Sequence, residues 1–222
     1  MRCLLFGMVL TTGLLLAGCG DTAAKKPKTS PQGFDHTTIG SQATGWIAAE
    51  TNGQGTPATW RIIRDGFAPS PPHVMAVVST RNTGQTYNLM IAEGGTYGDL
   101  ELGVSVRAVA GQEDQGGGII WRVQDAYNYY LARWNPLENN FRIYKVRQGH
   151  RTQLASADVS PNPRLWQRIT VRHTGKRIMA TLNNELPLVL EDSSISQPGK
   201  IGLWTKADAA SFFDEITVKG LD

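Results

Sequence analysis

From residue 34 onward the sequence alternates with a period of two, in short runs, and no helical period is long enough to place a helix. The clearest run is Asp99 to Val109, DLELGVSVRAV. Leu100, Leu102, Val104, Val106 and Ala108 fall on one face, while Asp99, Glu101, Ser105 and Arg107 fall on the other. One apolar and one polar face is the pattern of an antiparallel sheet. Comparable runs predict strands at 44–49, 58–63, 73–79, 86–91, 117–123, 127–134, 140–147, 151–156, 165–173, 176–182, 185–190, 199–205 and 211–218. About fourteen strands with almost no helix predict an all-β domain, a two-layer sandwich or a barrel. The strand number favours a large jelly roll. No internal repeat is visible, which argues against a propeller.

The breaks between runs have physical causes. In His173-Thr174-Gly175-Lys176 glycine supplies the bend. Asn183-Asn184 joins two strands, because asparagine tolerates the positive φ of a hairpin turn. Gln148-Gly149-His150 does the same before Arg151. Pro71 and Pro72 interrupt the chain ahead of a strand, since proline cannot donate to a ladder.

With 222 residues the chain can bury a core without covalent staples. The excess of basic over acidic residues is 22 − 19 = 3, with no basic cluster, so nucleic-acid binding is not expected. Cys3 and Cys19 both lie in the first 19 residues. There, Arg2 precedes an apolar run, Leu4 to Leu16, too short for a comfortable membrane span, so residues 1–18 read as a secretory signal. The run ends in Leu16-Ala17-Gly18-Cys19, which resembles a bacterial lipobox. That resemblance implies cleavage before Cys19 and attachment of lipid to it, which anchors the protein to a bilayer. The expected address is the bacterial cell envelope, with the domain in the periplasm. Gly20 rather than Asp follows Cys19, which favours the outer over the inner membrane. Residues 19–33 are polar and expected to be a disordered tether, leaving 34–222 as the folded domain.

The stretch Gly116 to Val146, GGGIIWRVQDAYNYYLARWNPLENNFRIYKV, has the densest mixture of aromatic, arginine and amide side chains. Rings stack on sugar C–H faces, and arginine and carboxylate groups pair with hydroxyls. On 117–123, Ile119, Trp121 and Val123 share a face, which assigns Trp121 to the core. Arg122 points the other way. On the next strand Tyr127, Tyr129, Leu131 and Arg133 alternate with Asn128, Tyr130, Ala132 and Trp134, and parity does not say which set is buried. Arg133 and Glu138 flank a turn, where a salt bridge and a ligand role are both open. Trp204 alternates with Ile201, Leu203 and Thr205, which allows it to be exposed, and Lys206 and Asp208 follow on a loop.

This stretch, the later LWQRITV, and GKIGLWTKADAASFFDEITV resemble bacterial concanavalin A-like jelly-roll domains, specifically the 3-keto-disaccharide hydrolase domain family, related to laminarinase-type glycosidases. The resemblance covers residue 34 to the end. It implies a sandwich of two antiparallel sheets whose concave face or rim meets a glycan or small sugar.

The Glu-x-Asp-x-x-Glu motif of laminarinase-type enzymes is missing. Asp99 and Glu101 share a face without a third acid and read as a solvated strand surface, and Glu113-Asp114 reads as a solvated loop. The candidate ligand-binding residues are Arg122, Tyr130, Arg133, Trp204 and Lys206. Glu138 and Asp208 are the candidate catalytic bases, because a keto-sugar has an acidic C–H beside its carbonyl. His36, His73, His150 and His173 show no metal-ligand spacing, and no cofactor is expected. Concanavalin-like folds often hold a structural calcium. Asp114, Asp125 and Asn128 supply loop oxygens for one, though no calcium-loop pattern is present. Three functions stay open: a membrane-anchored sugar-binding lipoprotein, a hydrolase of 3-keto-disaccharides or related glycosides, and a non-catalytic envelope interaction module.

Overall fold

The computed structural model describes residues 29–54 and 57–221. The signal and lipid-attachment expectations, Cys19 included, lie outside the described residues. All regular structure among the described residues is β. The strands are β1 (Thr29–Gln32), β2 (Trp46–Thr51), β3 (Thr59–Arg64), β4 (His73–Ser79), β5 (Tyr87–Ala92), β6 (Leu100–Ala110), β7 (Gly117–Asp125) and β8 (Asn128–Asn135). They continue as β9 (Asn140–Arg147), β10 (His150–Asp158), β11 (Gln167–Thr174), β12 (Arg177–Leu182), β13 (Glu185–Glu191), β14 (Lys200–Lys206) and β15 (Ala210–Gly220). Strands β2 to β15 are the fourteen expected from alternation. β1 is additional: where a tether is expected, Thr29–Gln32 pairs antiparallel with the last strand, from Thr29 opposite Lys219 to Gln32 opposite Ile216.

Two antiparallel sheets result. One has the order β13-β12-β11-β6-β15-β4-β3, with β1 also on β15; the other has the order β10-β9-β8-β7-β14-β5-β2. Sequence neighbours such as β7, β8, β9 and β10 pair through tight hairpins. Asn183 and Asn184 take φ values of 54° and 62°, and Gln148 and Gly149 take 51° and 78°. Both pairs occupy the left-handed region that a two-residue hairpin turn requires.

The inner faces of the two sheets enclose the main core. Trp60, Ile62, Met75, Trp121, Trp134 and Phe213 are buried there, so Trp121 is a core residue as its parity predicts. Trp121 stacks on Tyr130 with centroids 5.6 Å apart, and its indole N–H donates to His173 Nδ1 at 2.9 Å.

A second apolar cluster lies on the outer face of the seven-stranded sheet. It contains Tyr87, Leu89, Ile120, Tyr129, Leu131, Tyr144, Val146 and Trp204. A flat sheet leaves such a face wet, but this one curls. β10 and β5 are five strand steps apart in the sheet. That is roughly 24 Å at about 4.8 Å per step. Arg151 of β10 nevertheless lies 5.2 Å from the Tyr87 ring centroid on β5. At the same end the Thr51 and Tyr129 hydroxyls are 2.8 Å apart, bridging β2 and β8. The outer face is therefore a concave trough.

The hairpin tips close one end of the trough. Thr51 donates to the Ala126 carbonyl at 2.5 Å, and Asn52 Nδ2 donates to the Gly149 carbonyl at 3.0 Å. Asn128 Oδ1 accepts from the Gln148 backbone N–H at 3.0 Å, which joins the two tips to each other.

Candidate functional site

The alternation along β8 explains why the trough is polar at one end. Tyr130, Ala132 and Trp134 enter the inter-sheet core, while Tyr129, Leu131, Arg133 and Asn135 form the trough floor. Gly118 sits directly opposite Arg133 in the ladder, and Trp204 is the partner of Gly118 on its other side. With no side chain at Gly118, the backbone of β8 packs directly against it. A Cβ there would meet the Ala132 carbonyl and the backbone of Arg133, so the position excludes any larger residue.

Arg133 is 1% exposed. One of its amino groups donates to Glu138 Oε2 at 2.9 Å and to the Tyr144 hydroxyl at 3.2 Å. Its Nε and Nη1 have no protein acceptor. Burial opposes its charge, but Tyr144, Asp114 and Glu138 hold its pKa above the ordinary arginine value. Arg142 donates to the same Glu138 oxygen at 2.9 Å and to Tyr144 at 3.3 Å. The salt bridge across the β8–β9 turn therefore exists, and Arg133 also faces the trough.

Arg151 lies over the Tyr144 ring at 4.5 Å and near Trp204 at 5.9 Å. Its Nη1 is buried without an acceptor. Among the described residues no carboxylate lies within salt-bridge distance of it. Tyr87 and Arg151 also line a cleft of about 660 Å³ with Asn52, Gln85 and His150, at the end where the hairpin tips meet.

Asp114 closes the other side. It is 1% exposed, accepting from Lys206 Nζ at 3.1 Å and from Asn135 Nδ2 at 3.0 Å. Burial raises its pKa, outweighing the pull of Arg133 and Lys206. The expectation that Glu113-Asp114 is a solvated pair therefore fails for Asp114.

The expected site residues divide into two groups. Arg133, Glu138, Trp204 and Lys206 converge on the trough. Trp204 is not exposed but buried at 1%, because Arg151 covers it. Lys206 is the last residue of β14 rather than part of a loop.

Arg122 and Tyr130 lie elsewhere. Arg122 has φ 46° at a bulge in β7, which turns its side chain away from the trough. It donates to the carbonyls of Gly98, Ile195 and Gly175 and to Asp99, and so ties loops of both sheets together. Tyr130 donates to Asp192 at 2.6 Å and accepts from the Ile195 backbone N–H at 3.1 Å.

The two acids expected as bases are poor ones as placed. Burial alone would raise the pKa of Glu138, but Asn140, Arg133 and Arg142 pull it down to about 2. Asp208 accepts from the backbone N–H groups of Gln112, Glu113 and Asp114, at 2.6, 3.1 and 3.0 Å. Burial works against its charge, yet these donors keep its pKa below the usual value. Asp208 thus anchors the loop that delivers Asp114.

The oxygens considered for calcium do not form one site. Asp114 binds Asn135 at one end of β8, and Asp125 binds Asn128 at the other. Seven residues of strand separate those ends, roughly 23 Å. No group of three or more His, Cys, Asp or Glu among the described residues is arranged to hold a metal.

Arg151, Tyr87 and Asn135 were missed from sequence. The signal for Arg151 was its place one residue past a Gln-Gly-His turn, opposite Val146, which fixes the face it occupies.

Comparison with known proteins agrees with this architecture. The family model described as the 3-keto-alpha-glucoside-1,2-lyase-like domain matches residues 33–219. The chain belongs to this family. Among solved structures it is similar to the carbohydrate-binding module CBM66 from Bacillus subtilis. The TM-score is 0.63 at 18% identity, covering 80% of this chain and 96% of that one. The β-glucanase of Bacillus licheniformis gives a TM-score of 0.58 at 11% identity, covering 88% and 98%. The exoplasmic/lumenal domain of VIP36, in a form bound to Ca2+ and Man3GlcNAc, gives 0.52 at 11% identity, covering 80% and 84%. These likenesses establish the jelly-roll fold. No curated protein matches the chain.

Proposed function

We propose that this domain binds a saccharide in the trough of the seven-stranded sheet. One observation carries the reading: a buried arginine, Arg133, keeps two N–H groups without protein acceptors beside an aromatic floor of Tyr144 and Trp204. An unpaired buried donor costs about 1–3 kcal/mol. Sugar hydroxyls supply acceptors, and ring faces supply stacking for sugar C–H groups. The printed names of CBM66 and of the sugar-bound VIP36 domain lend support. Calorimetric titration of the purified domain with a panel of oligosaccharides tests it. Binding that Arg133→Gln weakens at least tenfold is expected. A panel without hits, with a co-purifying envelope protein instead, favours the interaction-module reading.

Catalysis on a 3-keto-glucoside is the second reading, and the family description favours it. The specific observation is Asp114. Its buried carboxyl has a raised pKa and stands beside Lys206 and Arg133. Asp114 is the group suited to take the proton next to the keto carbonyl, and the two cations would hold the resulting enolate charge. Collapse of the enolate would break the neighbouring glycosidic C–O bond, the leaving oxygen taking a proton back from Asp114 or from water. Release of glucose from 3-keto-trehalose that Asp114→Asn abolishes, while Glu138→Gln only reduces it, is the expected outcome. No turnover sinks this reading.

The anchoring reading is that lipid on Cys19 tethers the domain to the periplasmic side of the outer membrane. Incorporation of labelled palmitate that Cys19→Ser abolishes, with recovery in the outer-membrane fraction, checks it.

A further inference from the structure

The geometry points to a carboxylate-bearing saccharide, a uronic acid or its oligomer, as the ligand class of the trough, with Arg133 and Arg151 receiving the carboxylate. This rests on the saccharide reading above and adds a charge to it.

Two independent observations carry it. The first is the pairing of charges. Four cationic side chains, Arg133, Arg142, Arg151 and Lys206, meet two carboxylates there, Glu138 and Asp114. Glu138 is shared by Arg133 and Arg142 through a single oxygen. Asp114 is taken by Lys206. Arg151 keeps its charge without a carboxylate partner among the described residues. A neutral sugar would leave that imbalance as it stands, whereas one carboxylate would relieve it.

The second is the set of unused donors. Nε and Nη1 of Arg133 are buried donors without a protein acceptor, while its Nη2 is taken by Glu138 and Tyr144. Nη1 of Arg151 is the third buried donor without an acceptor. Both guanidinia lie against the Tyr144 ring, at 5.7 and 4.5 Å from its centroid. These donors hold a carboxylate better than hydroxyls, because a carboxylate adds ion-pair attraction to each hydrogen bond.

The test compares glucuronate with glucuronamide, which keeps the ring and hydroxyls and loses only the charge. Binding is followed by saturation-transfer NMR and by tryptophan fluorescence. Glucuronate should bind at least about tenfold tighter, and the preference should shrink as salt rises. Arg151→Gln, which removes a half-buried side chain and leaves Arg133 in place, should abolish most of the preference while circular dichroism shows an intact fold. Arg133→Lys should lose it too, since a lysine ammonium cannot keep the Glu138 and Tyr144 contacts and also supply the unused donors. Equal binding of the acid and the amide overturns the carboxylate inference and leaves the saccharide reading standing. If neither these sugars nor the oligosaccharide panel binds, both readings fall.

Discussion

Arg151 and Tyr87 touch although five strand steps separate them, with the guanidinium carbon 5.2 Å from the ring centroid. The contact records how strongly the seven-stranded sheet curls. It also explains how a sheet's outer face can hold a second buried apolar cluster.

Arg151→Ala is expected to open this face. The cation–π contacts to Tyr87, Tyr144 and Trp204 are lost, which costs about 1–2 kcal/mol. Trp204 becomes accessible, so acrylamide quenching of tryptophan emission should rise. Urea unfolding and quenching measured on the same variant check both parts. Unchanged quenching would mean that Arg151 does not cover the indole.

Arg122 and Tyr130 should behave as structural residues. Tyr130→Phe removes the bonds to Asp192 and Ile195, which is expected to cost about 1–3 kcal/mol. Arg122→Ala leaves three carbonyls without their donor and should cost on the order of 3 kcal/mol. Neither change should alter saccharide affinity in the folded fraction. A tenfold loss of affinity in Tyr130→Phe without loss of stability would return that residue to the site.

Asp208→Ala should free the Gln112 to Asp114 amides. Hydrogen exchange at those three positions is expected to quicken by tenfold or more, while the strand amides of β7 and β8 keep their protection. Ligand affinity should fall as well, because Asp114 loses its support. Asp208→Asn keeps an acceptor and should be milder in both respects.

Acid should destabilise the domain in two windows. His173 is buried and neutral, and burial together with Arg122 lowers its pKa from 6.5 to about 4. The unfolded chain binds that proton first, so stability present above pH 6.5 declines as pH falls towards 4. Glu138, lowered from 4.5 to about 2, adds a second decline below pH 4.5. Its half-exposed position keeps that contribution small. Thermal melts from pH 8 to 2 should show both slopes. His173→Gln should flatten the upper one. Glu138→Gln should reduce the lower one, to which Asp192 and Asp208, also held below the usual carboxylate range, contribute as well.

How much of this was readable depends on what each residue's environment allows. Strand positions were readable, because a period of two and turn residues such as Asn183, Asn184 and Gly149 act locally. Trp121 was placed correctly since Ile119 shares its face and the main core, whereas the bulge at Arg122 sends Val123, expected on the same face, to the outer cluster. Trp204 was not. Its parity put it on the outer face, and an outer face is ordinarily wet; the curl and Arg151 buried it. β1 was missed because TSPQ carries no alternation, and its pairing depends on β15 being beside it.

The sequence by itself determined the all-β class, the strands and the family. The class and the strands follow from short-range periodicity and turn chemistry, which a chain expresses without knowing its neighbours, and the family from the resemblance carried by stretches such as GKIGLWTKADAASFFDEITV. Only the tertiary structure decided which polar residues meet. Arg133 and Asp114 are 19 positions apart, and Arg133 and Lys206 are 73 apart, yet they share one trough with Arg151. Both faces of β8 are buried, so alternation could not tell core from site. That choice came from strand order and sheet curvature, which depend on pairings made across the whole chain.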